Sequence, residues 1–364
     1  MSSYPQGLSI CPPLQLGGTT LYPLTGSSLT NRYFILSGEG SRHLLSCPEV
    51  VGFPCYWALL DETLSALTYL RDRGDIPPSI DILTILRGGL NYPLEEACSE
   101  AGIVVRDIHF ISCERILSGG GVITGLDIRY GKICPSVDRV IAIGDIFATG
   151  DTLRLCMEHV VKVFAEGGCP IRRIVFFTVG GTRAFTCLEK MASDIRKDFP
   201  SFEGFDCFFY EGAFSVYEDR GESGLNVPDI DFGWKGALVC PEFRRIVIEK
   251  ETPLFERCVI YDGGARRFEI PLHFREVLDY WEGIRDRSGS IDAAAFTGEK
   301  LGFGTPMSFG QWVRELHYDL LPPEDLEGLH CKEMALLEKR VDLGAIAHRR
   351  IEEINLCKRQ YGED

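Results

Sequence analysis

RVIAIGDIFATGDTLRL, residues 139–155, is the stretch on which the reading of this chain turns. Val140, Ile141, Ala142 and Ile143 form an uninterrupted apolar run, as expected of a strand covered on both faces of a parallel sheet. An acid (Asp145) follows, then a turn holding Ala148, Thr149, Gly150, Asp151 and Thr152, then a helical pattern. Gly150 opens backbone conformations closed to other residues, so successive N–H groups can converge on one anion. The hydroxyls of Thr149 and Thr152 and the positive end of the following helix add to that pull. Asp145, at the carboxyl end of the strand, stands where it can accept hydrogen bonds from sugar hydroxyls. The chemistry expected of this stretch is a ribose-phosphate site.

Working outward, residues 152–166 read as a helix that buries Leu153, Cys156, Met157, Val160, Val161 and Phe164. A strand at 171–179, a helix at 182–197 and a strand at 205–210 follow. Upstream, Leu59, Leu60, Leu64, Leu67 and Leu70 recur at helical steps within 56–73, and Pro77 and Pro78 close that segment. A short β-type run at 80–86 leads straight into Arg87, Gly88 and Gly89; a helix at 94–101 and a strand at 103–111 come next. Alternation at this spacing predicts an α/β fold with a doubly wound, mostly parallel sheet whose edges fall near Tyr56 and Tyr210.

The flanks read differently. Residues 1–54, rich in Gly, Ser and Pro, are expected to form an irregular N-terminal arm with one or two short strands. The core spans 55–212. Within it, 112–136 resists classification, and its Ser118, Gly119, Gly120 and Gly121 suit a mobile lid or a plain hairpin tip. Residues 213–364 are expected to form an α+β, largely helical C-terminal domain or hood. Short strand-like pieces stand at 237–240, 245–248 and 258–261, and a charged hairpin turn at 262–267. Helices follow at 274–285, 309–320 and 324–359, the last with Gly328 and Gly344 as breaks. There is no internal repeat.

Composition excludes several classes. The net charge of the 364-residue chain is −15, and from Phe205 onward 31 Asp and Glu stand against 20 Lys and Arg. That balance argues against a nucleic-acid partner, which calls for a basic face. No stretch approaches the roughly 18 apolar residues of a membrane span, and the first residues lack a signal peptide, so the expectation is cytoplasmic. The 14 cysteines include no CxxC, and the histidines form no HExxH. Both facts argue for reduced packing thiols and against a zinc site.

Residues 139–155 resemble the phosphoribosyl pyrophosphate (PRPP) signature of the type I phosphoribosyltransferases, a hydrophobic strand running into acidic residues and a Thr-Gly turn. Residues 85–90, ILRGGL, are similar to the family's earlier loop, which contacts pyrophosphate. The resemblance implies that Ala148, Thr149, Gly150, Asp151 and Thr152 bind the 5′-phosphate and that Asp145, also the catalytic candidate, binds the ribose hydroxyls. It implies that Arg87, Gly88 and Gly89 bind pyrophosphate, and that Mg²⁺ accompanies PRPP. The implied activity, in nucleotide metabolism, is displacement of pyrophosphate by an unidentified nitrogen acceptor such as a nucleobase, in a chain compatible with a homo-oligomer.

Three positions depart from the family. Gly144 replaces the first of its paired acids, Asp151 puts a carboxylate in the phosphate turn, and Ala148 stands where some members carry a general base. Gly144 and Asp151 keep open an alternative, a catalytically silent PRPP- or nucleotide-binding regulatory protein. A third reading is an adapter whose acidic half binds a protein. Gly180, Gly181, Thr182 and Arg183, after another strand, either line the same cleft or form a plain loop and helix start.

Overall fold

The computed structural model describes residues 7–117, 123–137, 139–216, 224, 232–250, 252–256 and 263–361. Strands β1 (Ser9–Ile10), β2 (Leu14–Leu16), β3 (Thr19–Thr25) and β4 (Arg32–Ser37) come first, then helices α1 (Glu39–Ser46), α2 (Phe53–Trp57) and α3 (Leu60–Asp72). The alternating section comprises β5 (Ser79–Leu86), α4 (Leu94–Glu100), β6 (Val104–Leu117), β7 (Ile123–Lys132), β8 (Arg139–Gly144), α5 (Asp151–Glu166), β9 (Ile171–Gly181), α6 (Arg183–Asp198) and β10 (Gly204–Val216). After β11 (Phe232–Val239) the described elements are helices: α7 (Pro241–Glu249), α8 (Thr252–Phe255), α9 (Gly263–Phe268), α10 (Ile270–Arg287), α11 (Ala293–Leu301), α12 (Phe309–Glu315), α13 (Pro323–Glu338) and α14 (Leu343–Gln360). No helix among the described residues is long and apolar enough to cross a membrane.

One sheet runs in the order β1-β3-β4-β10-β9-β8-β5-β6-β7, with β11 paired to β10 and β2 to β3. From β4 through β6 successive neighbours are parallel; β3 and β7 join the two ends of that block antiparallel, and β11 pairs antiparallel with the far end of β10. All six residues of β8 are buried, which is why the strand reads as a continuous apolar run. The connection through α4 carries the chain from β5 to β6, and the one through α5 carries it from β8 to β9, in the opposite direction. Right-handed crossovers diverging in this way place α4 and α5 on opposite faces and leave a crevice at the carboxyl ends of β5 and β8.

The α/β class with a mostly parallel sheet is as expected; several local expectations need correction. The described residues of the N-terminal segment, 7–54, hold four strands, and β4 lies between β3 and β10, so the sheet extends past the edges expected near Tyr56 and Tyr210. Turn-rich sequence separates those strands, but pairing with β10, some 170 residues away, decides their conformation. Residues 245–248 belong to α7, not to a strand. Pro241 opens that helix, and Phe243, Arg244, Val247 and Ile248 share its buried face at helical spacing, a pattern wider than the four apolar-looking residues. Residues 263–268 are helical rather than a hairpin turn. The helix at 309 stops at Glu315, and His317 has a positive φ of 59°. Gly328 lies within α13, so the break in the last helical stretch falls at 339–342. The strand piece at 258–261 and the lid candidates Ser118 to Gly121 lie outside the described residues, while their flanks form an antiparallel β6–β7 pair.

The C-terminal helices fasten onto the rest through buried ion pairs and backbone contacts. Arg244 on α7 meets Glu333 on α13 at 2.8 Å, and Trp312 donates to the same carboxylate. Arg350 on α14 meets Glu256 and, from the N-terminal segment, Glu49. Arg266 on α9 is fully buried and donates to the carbonyls of Leu44, Cys47 and Val50. The described cysteines are free.

Candidate functional site

The loop leaving β8 stays attached to the sheet before it turns. Asp145 N–H donates to the Phe177 carbonyl and Phe147 N–H to that of Val179, while Gly181 N–H donates to Phe147. Phe147 is thereby pinned with its ring fully buried beneath Gly150. Gly150 has φ +82°, and a β carbon there would run into that ring, so both its conformation and its lack of a side chain are required. Gly150 is also the N-cap of α5, a 16-residue helix whose positive end therefore faces the turn.

The crevice at the switch point is a cleft of about 200 Å³. Its wall includes Gly88 from the loop after β5, Asp145, and Ala148, Thr149, Gly150 and Thr152 from the loop after β8. Two loops about sixty residues apart thus share one cavity. Asp145 is 8% exposed, its Oδ1 accepts from Ile146 N–H at 2.9 Å, and a β carbon on Gly88 would collide with that oxygen. None of the described residues lining the cleft is Lys or Arg, so an anion there would rest on amides, hydroxyls and the helix end.

Three expected site residues are placed otherwise. Gly89 is buried and is not among the residues lining the cleft; a β carbon would press on Thr84 at 3.0 Å and on the Gly144 carbonyl at 3.3 Å. Arg87, whose preceding peptide bond is cis, carries its guanidinium to Glu269 at the start of α10, with Nη2–Oε2 2.6 Å. Asp151 does not line the cleft. Its charge is felt on α6 by the Cys187 thiol, which is pushed up chiefly by burial, with Asp151 adding to the rise. Gly180 and Gly181 belong to β9 and sit against Phe147 and Ala148, supporting the turn.

Gly144 has a packing explanation. A β carbon at this position would lie 2.5 Å from Cβ and Cγ of Tyr92. Tyr92 is 3% exposed, and its hydroxyl accepts from Val179 N–H at 3.2 Å. Burial, with the Asp145 charge adding to it, raises this phenol well above its ordinary value, so it stays protonated. Sequence reasoning missed Tyr92 and Glu269, whose partners are far along the chain. It also passed over Phe147, which did carry a signal, as the one large apolar residue among small ones in the turn.

No family model and no curated protein matches the sequence. Among solved structures the chain is similar to a purine phosphoribosyltransferase from Pyrococcus horikoshii Ot3, with 23% identity over 34% of this chain and 73% of that one and a TM-score of 0.25. It is similar to a hypoxanthine phosphoribosyltransferase from Staphylococcus aureus at 18% identity, over 33% of this chain and 62% of that one, with a TM-score of 0.26. The AQ2163 protein from Aquifex aeolicus is similar at 15% identity over 50% of this chain and 89% of that one, with a TM-score of 0.34. In both transferases the similarity falls on the central part of this chain.

Proposed function

We propose that the cleft between β5 and β8 binds PRPP and that the protein is a PRPP-dependent phosphoribosyltransferase, displacing pyrophosphate with a nitrogen nucleophile. The observation that carries this reading is the shared wall: Gly88 on one side, Asp145 and Ala148 to Thr152 on the other. The 5′-phosphate sits in the turn against the amides and hydroxyls of residues 148–152 and the end of α5. Asp145 accepts from the ribose hydroxyls. Pyrophosphate lies along the Gly88 backbone, and Arg87 reaches it by leaving Glu269, exchanging one charged partner for another.

The transfer breaks the bond from C1 to the pyrophosphate oxygen as the bond from nitrogen to C1 forms, through an oxocarbenium-like state. The chain contributes positioning of C1 and stabilisation of the departing charge. Magnesium fits this site in a limited way. Among the described residues no group of three His, Cys, Asp or Glu could enclose an ion, and Asp145 is the one carboxylate in the cleft wall. An ion held by one carboxylate, water and substrate oxygens is the ordinary magnesium arrangement. Asp145 would hold it, and it would neutralise charge on the pyrophosphate.

A second reading, PRPP binding without transfer, is favoured by Tyr92 occupying the space of a second acid at position 144. Calorimetry with PRPP and Mg²⁺ tests both readings. Saturable binding is expected, weakened about tenfold or more by Thr149→Ala or Asp145→Asn through loss of a charge-assisted hydrogen bond. Unchanged affinity in both variants, or none in the wild type, rejects the site. Pyrophosphate release across a panel of bases and amines then separates transferase from sensor.

A further inference from the structure

Cys113 and Cys156 are 43 residues apart in the chain, yet their sulfurs stand 3.4 Å from one another. Cys113 lies half-buried on β6, one residue past the register at which Ser112 pairs with Leu86, and Cys156 lies fully buried on α5. Both positions bear on the cleft. Its wall includes Ile85 and Leu86 on one side and Thr152 and Leu153 on the other, and Cys156 follows these last two by one turn of the helix. β6 is paired to β5 along its length, so the sulfurs meet between the elements that carry the two walls. Burial pushes the Cys156 thiol well up, the bond to Cys113 adds to the rise, and the charge of Asp145 reaches it as well. Other thiols face oxygen: Cys47, Cys169 and Cys240 donate to Glu49, Gly167 and Glu211. Bringing the Cys113 and Cys156 sulfurs to the disulfide length of about 2.05 Å requires the side chains, or the elements that carry them, to move by about 1.4 Å.

We infer that Cys113 and Cys156 form a disulfide site oxidised by peroxide, and that the bond clasps α5 to β6 beneath the cleft. The inference is independent of what the cleft binds. Burial divides the roles. Cys113 is the accessible sulfur: its thiolate attacks one oxygen of hydrogen peroxide, the O–O bond breaks, and hydroxide leaves, so that Cys113 becomes a sulfenic acid. Cys156, buried and protonated, is shielded from the oxidant and resolves that acid. Its sulfur attacks Cys113 Sγ, the S–O bond breaks, and the Cys156 proton passes to the departing oxygen, which leaves as water. The first hydroxide takes up the proton that Cys113 had released. In sum two thiols and one peroxide give one disulfide and two waters, and the electron pair lost by the sulfurs is gained by the peroxide oxygens.

The test treats the reduced full chain with a small molar excess of hydrogen peroxide, blocks the remaining thiols, and maps the peptides by mass spectrometry without reductant. The expected product is a peptide pair joining Cys113 to Cys156, lighter than its reduced parts by the mass of two hydrogens and separated again by dithiothreitol. Closing a loop of 43 residues raises the melting temperature by about 3–5 °C over the reduced protein, and reductant reverses the rise. Cys156→Ala removes both effects and leaves Cys113 as a sulfenic acid that dimedone traps. Cys113→Ser, at the half-buried position, also removes both and leaves Cys156 unoxidised, which keeps the test decisive if the change at the buried position impairs folding. Oxidation of Cys113 in the wild type without a bond to Cys156, both residues left as thiols, oxidation of Cys156 in Cys113→Ser, or an oxidised protein that melts no higher than the reduced one each overturn the inference.

Discussion

Replacing Gly144 by alanine tests why the cleft carries one acid where a pair was expected. The added carbon would sit 2.5 Å from Cβ and Cγ of Tyr92 and 3.0 Å from Cδ2. Carbon atoms in contact prefer about 3.5–4.0 Å. The atoms it meets are the root of the ring, not a flexible end, and the far end is tied to Val179. Relief therefore requires a backbone shift, at about 1–3 kcal/mol for overpacking, or rupture of the Tyr92 bond, at about 1–3 kcal/mol for a stranded amide. The expected loss for Gly144→Ala is therefore about 1–3 kcal/mol. Tyr92→Ala alone should cost about 3–5 kcal/mol as a buried aromatic truncation. In that background Gly144→Ala should be nearly free, which makes the coupling between the two about 1–3 kcal/mol. Urea unfolding of the four proteins measures it. Costs that add within about 0.5 kcal/mol would refute the claim that Tyr92 excludes a side chain at 144, and with it the packing account of the missing acid.

Two further outcomes follow from ionisable groups around the sheet's carboxyl edge. Glu211, fully buried at φ 61°, accepts from Ser37, Gly38, Ser41 and Cys240, yet burial outweighs these donors and raises its carboxyl from 4.5 to about 7. Because the folded value is the higher, its contribution to stability is complete below pH 4.5 and is lost as pH rises through 7, a decline of about 3 kcal/mol. Glu62, which shares the Ser41 hydroxyl and is also raised by burial, acts in the same direction. Glu211→Gln should flatten this decline in denaturation measured from pH 5 to 8, and parallel curves for variant and wild type would contradict it. For Arg87, the Glu269 pair is half exposed and worth about 0–1 kcal/mol. Glu269→Gln should therefore leave stability unchanged and tighten pyrophosphate binding by up to about fivefold at low salt, and an unchanged or weaker affinity by calorimetry would show that Glu269 does not compete for Arg87.

What the sequence disclosed and withheld follows the range of the interactions. The β8 strand, its turn and α5 were legible because one local pattern fixes each: an apolar run covered on both faces, a glycine that must be left-handed, a buried stripe at helical spacing. The meeting of the two loops was legible too, since both follow parallel strands and such strands share a carboxyl edge. Pairings across the fold were hidden. β4 looks like a short apolar run in a turn-rich arm until β10 is beside it, and the RIVI of 245–248 looks like a strand until Phe243 and Arg244 are counted on the same helical face. The departures at 144 and 151 show the difference most clearly. Both seemed to damage a phosphate site, yet Asp151 is absent from the cleft wall and its charge is felt on α6, whereas the residue at 144 is set by Tyr92, 52 positions earlier in the chain. The first departure therefore adds no side chain to the cleft, while the second cannot be reversed by restoring an acid alone. A functional pair of acids would have to be built with a smaller residue at 92, and that change would also remove the hydroxyl that holds the Val179 amide.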